Sequence, residues 1–444
     1  MSTTTTPVRF VRELRKICGV EHVIEDPGRL EAVRISGVVP AVAVEPASAD
    51  EVAAVLRFAN EHGLSVVPAG GLTQQQTGNK PAQMDVLLYT TRLTEVEHYD
   101  PGDLTIGVGA GCTIAQLTSK VAKDGLLFAA DIAQPERATI GGTLATGLTG
   151  PLRHGCGGLR DYCIGVRFVT ANGRKGKGGG RVVKNVAGYD MMKLLIGSWG
   201  TLAVITSASF KLFPAPRQTR TFIACFATSV EALQFRDTVL RSPLSPICLE
   251  LASPAAGGVI GTGYNKTCWQ VYLRASGSDV VLARYRAELG SAIAREICAD
   301  EEARCWRTLA EFPAQQPMRD PQSLLLSLMV LLRDVRRVLD LTQEVAAANG
   351  FTLAAVGRVG VGHLLVSLSP AAAEQVANTT YVAAMSALNQ NLPRDASLRV
   401  LYCPEAVQTE TLLFVKTPTD AASMRAVKQA LDPKDILNRG RFAL

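Results

Sequence analysis

The sequence has only five histidines, and none of its ten cysteines, at positions 18, 112, 156, 163, 225, 248, 268, 298, 305 and 403, forms a Cys-x-x-Cys pair. Zinc ribbons and ferredoxin-type clusters need paired thiolates on one turn, so neither is expected, and no metal site is assigned. The most apolar run, Leu324 to Leu332, has nine residues and includes Ser327. A membrane helix needs about 20. The run is read as a core strand or the start of a buried helix, and membrane contact is expected only indirectly, through partners at the inner membrane. Charge is sparse at 19% and scattered, with 46 basic against 40 acidic residues. Without a basic stripe, nucleic-acid binding is not expected. The Thr-rich start, Met1 to Phe10, lacks the basic and apolar parts of a secretory leader, and with unpaired thiols this points to the cytoplasm.

What is present is a chain of 444 residues, 47% hydrophobic, with 39 glycines, enough for roughly two to three domains with a large core. Phe10 to Cys18 reads as a helix stopped by Gly19. Val42 to Glu45 is strand-like. Ser48 then caps a helix with Glu51 at its third position, and Val52, Val55, Leu56 and Ala59 follow at helical spacing up to Gly63. Leu64 to Val67 is a second strand. So short a strand–helix–strand unit must be a parallel crossover.

Pro68-Ala69-Gly70-Gly71-Leu72-Thr73-Gln74 follows directly. Adjacent glycines let several backbone N–H groups converge, which is how a chain cradles a pyrophosphate. Gly107-Val108-Gly109-Ala110-Gly111-Cys112 is a poor dinucleotide fingerprint, with Cys112 in the last place and no acidic residue after a following strand; a Rossmann NAD site is rejected. Val86–Tyr89, Thr105–Gly109, Gly165–Thr170 and Ala203–Ser207 read as strands, and Ile114–Lys123 as a helix. From about Thr219 to Pro393 two rounds of strands and helices suggest an α+β domain with an antiparallel sheet and no sequence repeat.

Four segments together resemble the FAD-linked oxidases with the vanillyl-alcohol-oxidase (PCMH) type of flavin domain. They are Pro68–Gln74; Ala138-Thr139-Ile140-Gly141-Gly142-Thr143; Gly150-Pro151-Leu152-Arg153 with Leu159-Arg160-Asp161-Tyr162; and Gly197 to Thr206. Within that family, Gly179 to Asp190 and the ending Leu431 to Phe442 resemble the E subunits of bacterial glycolate oxidases. Two residues depart from the family pattern: Ala203 stands where glycine is usual and Arg439 where proline is usual.

The resemblance implies an α+β chain: an N-terminal helical segment (1–35), a two-lobed PCMH-type FAD-binding domain (36–217), an α+β cap with an antiparallel sheet (218–400), and a C-terminal segment (401–444) returning to the FAD domain. It implies FAD held by Pro68, Ala69, Gly70, Gly71, Leu72, Thr73 and Gln74, by Ala138, Thr139, Gly141, Gly142 and Thr146, and by Ile205 near the adenine. The turn lacks the histidine of covalently flavinylated relatives, so the FAD is expected to be noncovalent. Arg153, Lys184 and Tyr189 are the polar groups expected nearest the flavin, with lobe packing as the competing role. His363 stands alone in the cap, without the paired histidines of the family's catalytic subunits, and is not nominated as a base.

The function so implied is that of an FAD-binding subunit of a multi-subunit 2-hydroxy-acid (glycolate) dehydrogenase, beside a larger catalytic flavin subunit and an iron–sulfur subunit that takes the electrons. The alternatives are a self-sufficient FAD-dependent oxidase or dehydrogenase of another hydroxy acid or alcohol, and a non-catalytic flavin-binding scaffold.

Overall fold

The computed structural model describes residues 8–181, 188–260, 267–371, 376–408 and 420–441. The first lobe runs α1 (Val8–Cys18), β1 (Val23–Ile24), α2 (Pro27–Glu31), β2 (Val42–Val44), α3 (Ala49–His62), β3 (Val66–Ala69) and β4 (Val86–Tyr89). Ser48 accepts the Glu51 N–H at 3.1 Å, while the Glu51 carboxylate reaches back to the N–H of Ala47 at 2.8 Å, one residue outside the usual capping box. Gly63, at φ 68°, ends α3 in the left-handed region. Val52, Val55, Leu56 and Ala59 of α3 share a core with Val42, Val44, Val66 and Val86. The sheet order is β1-β2-β4-β3; β2 and β3 both run parallel to β4, which lies between them.

The second lobe is antiparallel. It comprises β5 (Val96–Asp100), β6 (Thr105–Gly109), α4 (Ile114–Ala122), β7 (Leu126–Leu127), α5 (Ile140–Thr146), β8 (Cys163–Thr170), β9 (Lys175–Gly179), β10 (Ala203–Lys211) and β11 (Phe213–Pro214). The main sheet has the order β5-β6-β10-β8-β9. Ile140 and Leu144 of α5 lie in one core with Ala203, Ile205 and Ala208 of β10, so this helix is pressed onto the sheet. After β6, the N–H groups of Gly109, Ala110, Gly111 and Cys112 are bonded to Glu95, Thr206, Leu93 and Gly109 carbonyls respectively. Those four donors are consumed inside the protein, which removes the physical basis of a phosphate site there.

The cap is one eight-stranded sheet in which every pairing is antiparallel. Its strands are β12 (Thr219–Phe226), β13 (Cys248–Ala252), β14 (Trp269–Ser276), β15 (Arg295–Ile297), β16 (Leu324–Met329), β17 (Phe351–Arg358), β18 (His363–Pro370) and β19 (Ser397–Tyr402). In space they read β15-β12-β14-β13-β17-β18-β16-β19. Numbered within each half, that order is 4-1-3-2 followed by 2-3-1-4, so the two rounds are one arrangement used twice and joined at β13–β17. Helices 229–241, 279–289, 335–348 and 378–391 share a core with one side of the sheet. Helices 254–260 and 299–319 share another, which also takes in Leu127, Leu148 and Leu152 of the second lobe. Leu324 to Leu332 is a strand as far as Met329 and then a short 3-10 turn, not the start of a helix.

The chain then returns to the first lobe. Ile436 O accepts the Val66 N–H and Val66 O accepts the Asn438 N–H, each at 2.8 Å, so residues 436–438 extend the edge at β3. Buried Asp432 fixes the bend by accepting from Ile436 and Leu437 N–H at 3.0 and 2.8 Å.

Candidate functional site

A cleft of about 710 Å³, counting its open mouth, runs between the lobes past the end of β3. Its floor is the turn Pro68–Gln74, in which Leu72 is left-handed at φ 59°. Among the described residues, none of the backbone N–H groups of residues 70–76 donates to a protein acceptor. Unlike the donors after β6, these remain available to a ligand. A Cβ on Gly70 would collide with the Thr139 hydroxyl, and one on Gly71 with the Arg137 carbonyl. Glycine is therefore required because the turn lies flat on residues 137–139, and Arg137 Nη2 clamps it by donating to Gly71 O at 3.1 Å.

The C-terminal return completes the cleft. Arg441, 2% exposed, donates from Nη1 to Asn79 O (3.1 Å) and from Nη2 to Gln75 O (2.7 Å) and Gln75 Oε1 (3.0 Å), while its Nε has no partner. Burial draws its pKa down to about 10. Asn438 Nδ2 donates to Trp199 O at 2.6 Å, and its buried Oδ1 is also without a partner. Both side chains line the cleft, as does Trp199, itself left-handed at φ 57°.

A second, narrow cavity shares Thr73, Gln74 and Thr146 with the cleft and reaches the cap through Arg358 and His363. Arg358 is 1% exposed; its Nη1 lies 3.2 Å from His363 Nδ1 and its Nε 3.7 Å from Glu250 Oε1. A guanidinium only donates, so Nδ1 accepts, and the remaining ring proton on Nε2 faces Ser327 Oγ at 2.8 Å. Burial and the nearby guanidinium of Arg358 hold the His363 pKa well below its ordinary value. Neither Glu250 oxygen has a hydrogen-bond partner, and burial raises this carboxyl to about 8 against the opposing pull of Arg358. Asp131 lines the same cavity. Its Oδ2 accepts the Leu152 N–H at 2.7 Å, its Oδ1 has no partner, and burial raises it to about 7.

Two family models match the chain: an FAD binding domain over residues 40–175, and the C-terminal domain of FAD linked oxidases over residues 407–442. In these two segments the chain is similar to the FAD linked oxidases. The D-lactate dehydrogenase of Archaeoglobus fulgidus is 37% identical over 215 residues, a match that spans 48% of each chain. The D-2-hydroxyglutarate dehydrogenase of Xanthomonas citri pv. viticola is 26% identical over 423 residues, 89% of this chain and 88% of that one. Among solved structures, p-cresol methylhydroxylase superposes with a TM-score of 0.76 at 16% identity, covering 98% of this chain and 96% of its own. That likeness makes the fold the α+β PCMH type.

The residues present fit FAD. The free N–H groups of 70–76 and the orphan Arg441 Nε suit its pyrophosphate, and a flavin bound there would supply a two-electron acceptor. All residues from Pro68 to Gln74, with Thr139, Gly141, Gly142, Thr146 and Ile205, line the FAD cleft. Ala138 does not; it is buried and forms wall of the second cavity. The Thr139 hydroxyl accepts the Gly142 N–H at 3.3 Å and that of Thr146 donates to Gly142 O at 2.9 Å, so both serve α5.

The three polar candidates separate. Arg153 is half-buried, with Nη1 3.4 Å from Thr149 Oγ1 on the second cavity, and its pKa is lowered by burial and by Arg358. Tyr189 is 90% exposed and lines neither space, which corrects the expectation that it sits by the flavin. Lys184 lies outside the described residues. Sequence reading missed Trp199, Asn438 and Arg441, although all three stand inside motifs it had singled out. It also missed Asp131, Glu250 and Arg358, for which no local signal exists. No helix among the described residues is long and apolar enough to cross a membrane.

Proposed function

We propose that this chain is an FAD-dependent dehydrogenase of a small 2-hydroxy acid. The observation that carries the reading is Arg358, buried in the wall of the second cavity, where burial raises the pKa of its nearest carboxyl, Glu250, to about 8. A buried guanidinium whose neighbouring carboxyls are pushed toward their neutral forms attracts an anion, and a carboxylate matches its donor geometry. The similarity to dehydrogenases of D-lactate and D-2-hydroxyglutarate supports the substrate class. In the test, the FAD-loaded protein is mixed without oxygen with glycolate, D-lactate, D-2-hydroxyglutarate and the matching alcohols that lack a carboxylate. Hydroxy acids should bleach the flavin and alcohols should not; no bleaching by any hydroxy acid overturns the reading.

A second reading concerns assembly. The resemblance of Gly179 to Asp190 and of the ending to glycolate oxidase E subunits favours a subunit that works beside a larger flavin subunit and passes electrons to an iron–sulfur partner. The absence of any Cys-x-x-Cys pair fits an electron acceptor outside this chain. Dye reduction in steady state, compared for the chain alone and with its partners, tests it. Equal rates would favour the self-sufficient enzyme.

A further inference from the structure

The geometry points to Asp131 as the group that takes the hydroxyl proton of the substrate. This rests on the reading of the second cavity as a hydroxy-acid site. Oxidation at C2 requires a proton acceptor against the substrate hydroxyl, and the conventional choice is occupied: His363 has one ring nitrogen on Arg358 and the other on Ser327. Asp131 meets the requirements that His363 fails. It lines the cavity shared with the FAD cleft, the Leu152 N–H fixes one oxygen, and the other oxygen is buried without a partner. Gly150 packs closely against this residue: a Cβ there would collide with the Asp131 backbone carbonyl and with Oδ1.

The surroundings set its working range. Arg358 from β17 and Arg274 from β14 favour the ionised form, while burial opposes it more strongly; Glu250 and Cys248 of β13, Cys156 of the 153–156 helix and Tyr162 are the other titratable groups near it. Its pKa of about 7 is close to that of an effective base at neutral pH. The substrate carboxylate would lie on Arg358, and as the O–H bond breaks its proton would pass to Asp131 Oδ1. FAD held in the adjoining cleft would supply the two-electron oxidant that takes up the electron pair of the C2–H bond as the C2=O bond of the 2-oxo acid forms. Asp131 returns its proton to solvent after product leaves.

Asp131→Asn keeps the acceptor for Leu152 and removes the base. Oxalate, an inert dicarboxylate, is the probe for a readout without turnover: an anion bound beside Asp131 raises its proton affinity, so calorimetry at neutral pH in buffers of different ionisation heat should record proton uptake. The uptake should be lost, or much reduced, in Asp131→Asn. In the same variant, flavin reduction by a 2-hydroxy acid should slow about 10²–10⁴-fold, with FAD content unchanged. Unchanged proton uptake overturns the assignment, as does a reduction rate within twofold of wild type. Should the variant fail to fold, the infrared difference spectrum of wild type with and without oxalate replaces it. A carboxyl carbonyl band must then grow on binding, and a spectrum without one overturns the proposal. If no hydroxy acid reduces the wild-type flavin, the functional reading fails separately, and the oxalate measurements still decide whether Asp131 takes up a proton.

Discussion

The Glu250→Gln variant should differ from the parent protein in how its stability depends on pH. Glu250 is fully buried, and its pKa moves from an ordinary 4.5 to about 8 on folding, chiefly through loss of hydration. Between those values the folded chain holds a proton that the unfolded chain has released. Stability is therefore complete below 4.5 and falls as pH rises toward 8. At about 1.4 kcal/mol for each tenfold change in proton affinity, the ceiling on that loss is about 5 kcal/mol. Glutamine has the same shape and does not titrate, and Asp131 titrates in both proteins, so the difference between them isolates Glu250. Urea unfolding followed from about pH 5 to about pH 8.5 should show two curves within about 1 kcal/mol at the acid end, with the variant several kcal/mol more stable at the alkaline end. Parallel curves would mean that Glu250 stays ionised as the counter-charge of Arg358, and the case for an anion site at Arg358 would collapse with it.

Gly71→Val should yield protein without yellow colour, because the added Cβ collides with the Arg137 carbonyl and lifts the turn; a normal ratio of flavin to protein absorbance would place the pyrophosphate elsewhere. Acid precipitation of the holoprotein should release the flavin into the supernatant, and flavin retained in the pellet would refute noncovalent binding. Arg358→Met should weaken oxalate binding by about 2–5 kcal/mol, the cost expected on truncating a buried charged partner, while leaving FAD in place; unchanged oxalate affinity would remove the arginine from the substrate site. Arg441→Ala deletes three hydrogen bonds to the turn region and should raise the FAD dissociation constant about tenfold or more at about 1.5–3 kcal/mol per charged bond. An unaltered flavin titration would show that the turn holds its shape without it.

What the sequence made legible is what local chemistry decides. Ser48 with Glu51 marked a helix start because capping acts over three residues, and Gly70-Gly71 marked a turn because only glycine fits against residues 137–139. The long helix 299–319 carries Pro313 and Pro317, residues that ordinarily break a helix; in the fold Trp306, Leu309 and Phe312 bury its face against the sheet. Tyr189 was misplaced because a motif reveals which residues travel together, not which way a side chain turns. The search for a base looked to cap histidines and passed over Asp131, which sits in the FAD domain. Its proton affinity is raised by burial against the opposing pull of the Leu152 N–H, Arg358 and Arg274, groups remote from it in sequence. Glu250, Arg358 and His363 meet only because β13, β17 and β18 are neighbours in the sheet, a pairing without trace in local sequence.

Arg441 and Gln75 stand 366 positions apart and yet hold the same turn. A chain emerging from the ribosome has delivered the FAD turn early, and then has to deliver both lobes, the whole cap and the returning strand before the side chain that secures that turn arrives. Closing so wide a loop carries an entropic cost that no local contact offsets. The cofactor-competent state is thus the last to be reached in synthesis. FAD, by binding that state more tightly, would favour the return of Arg441 to the turn.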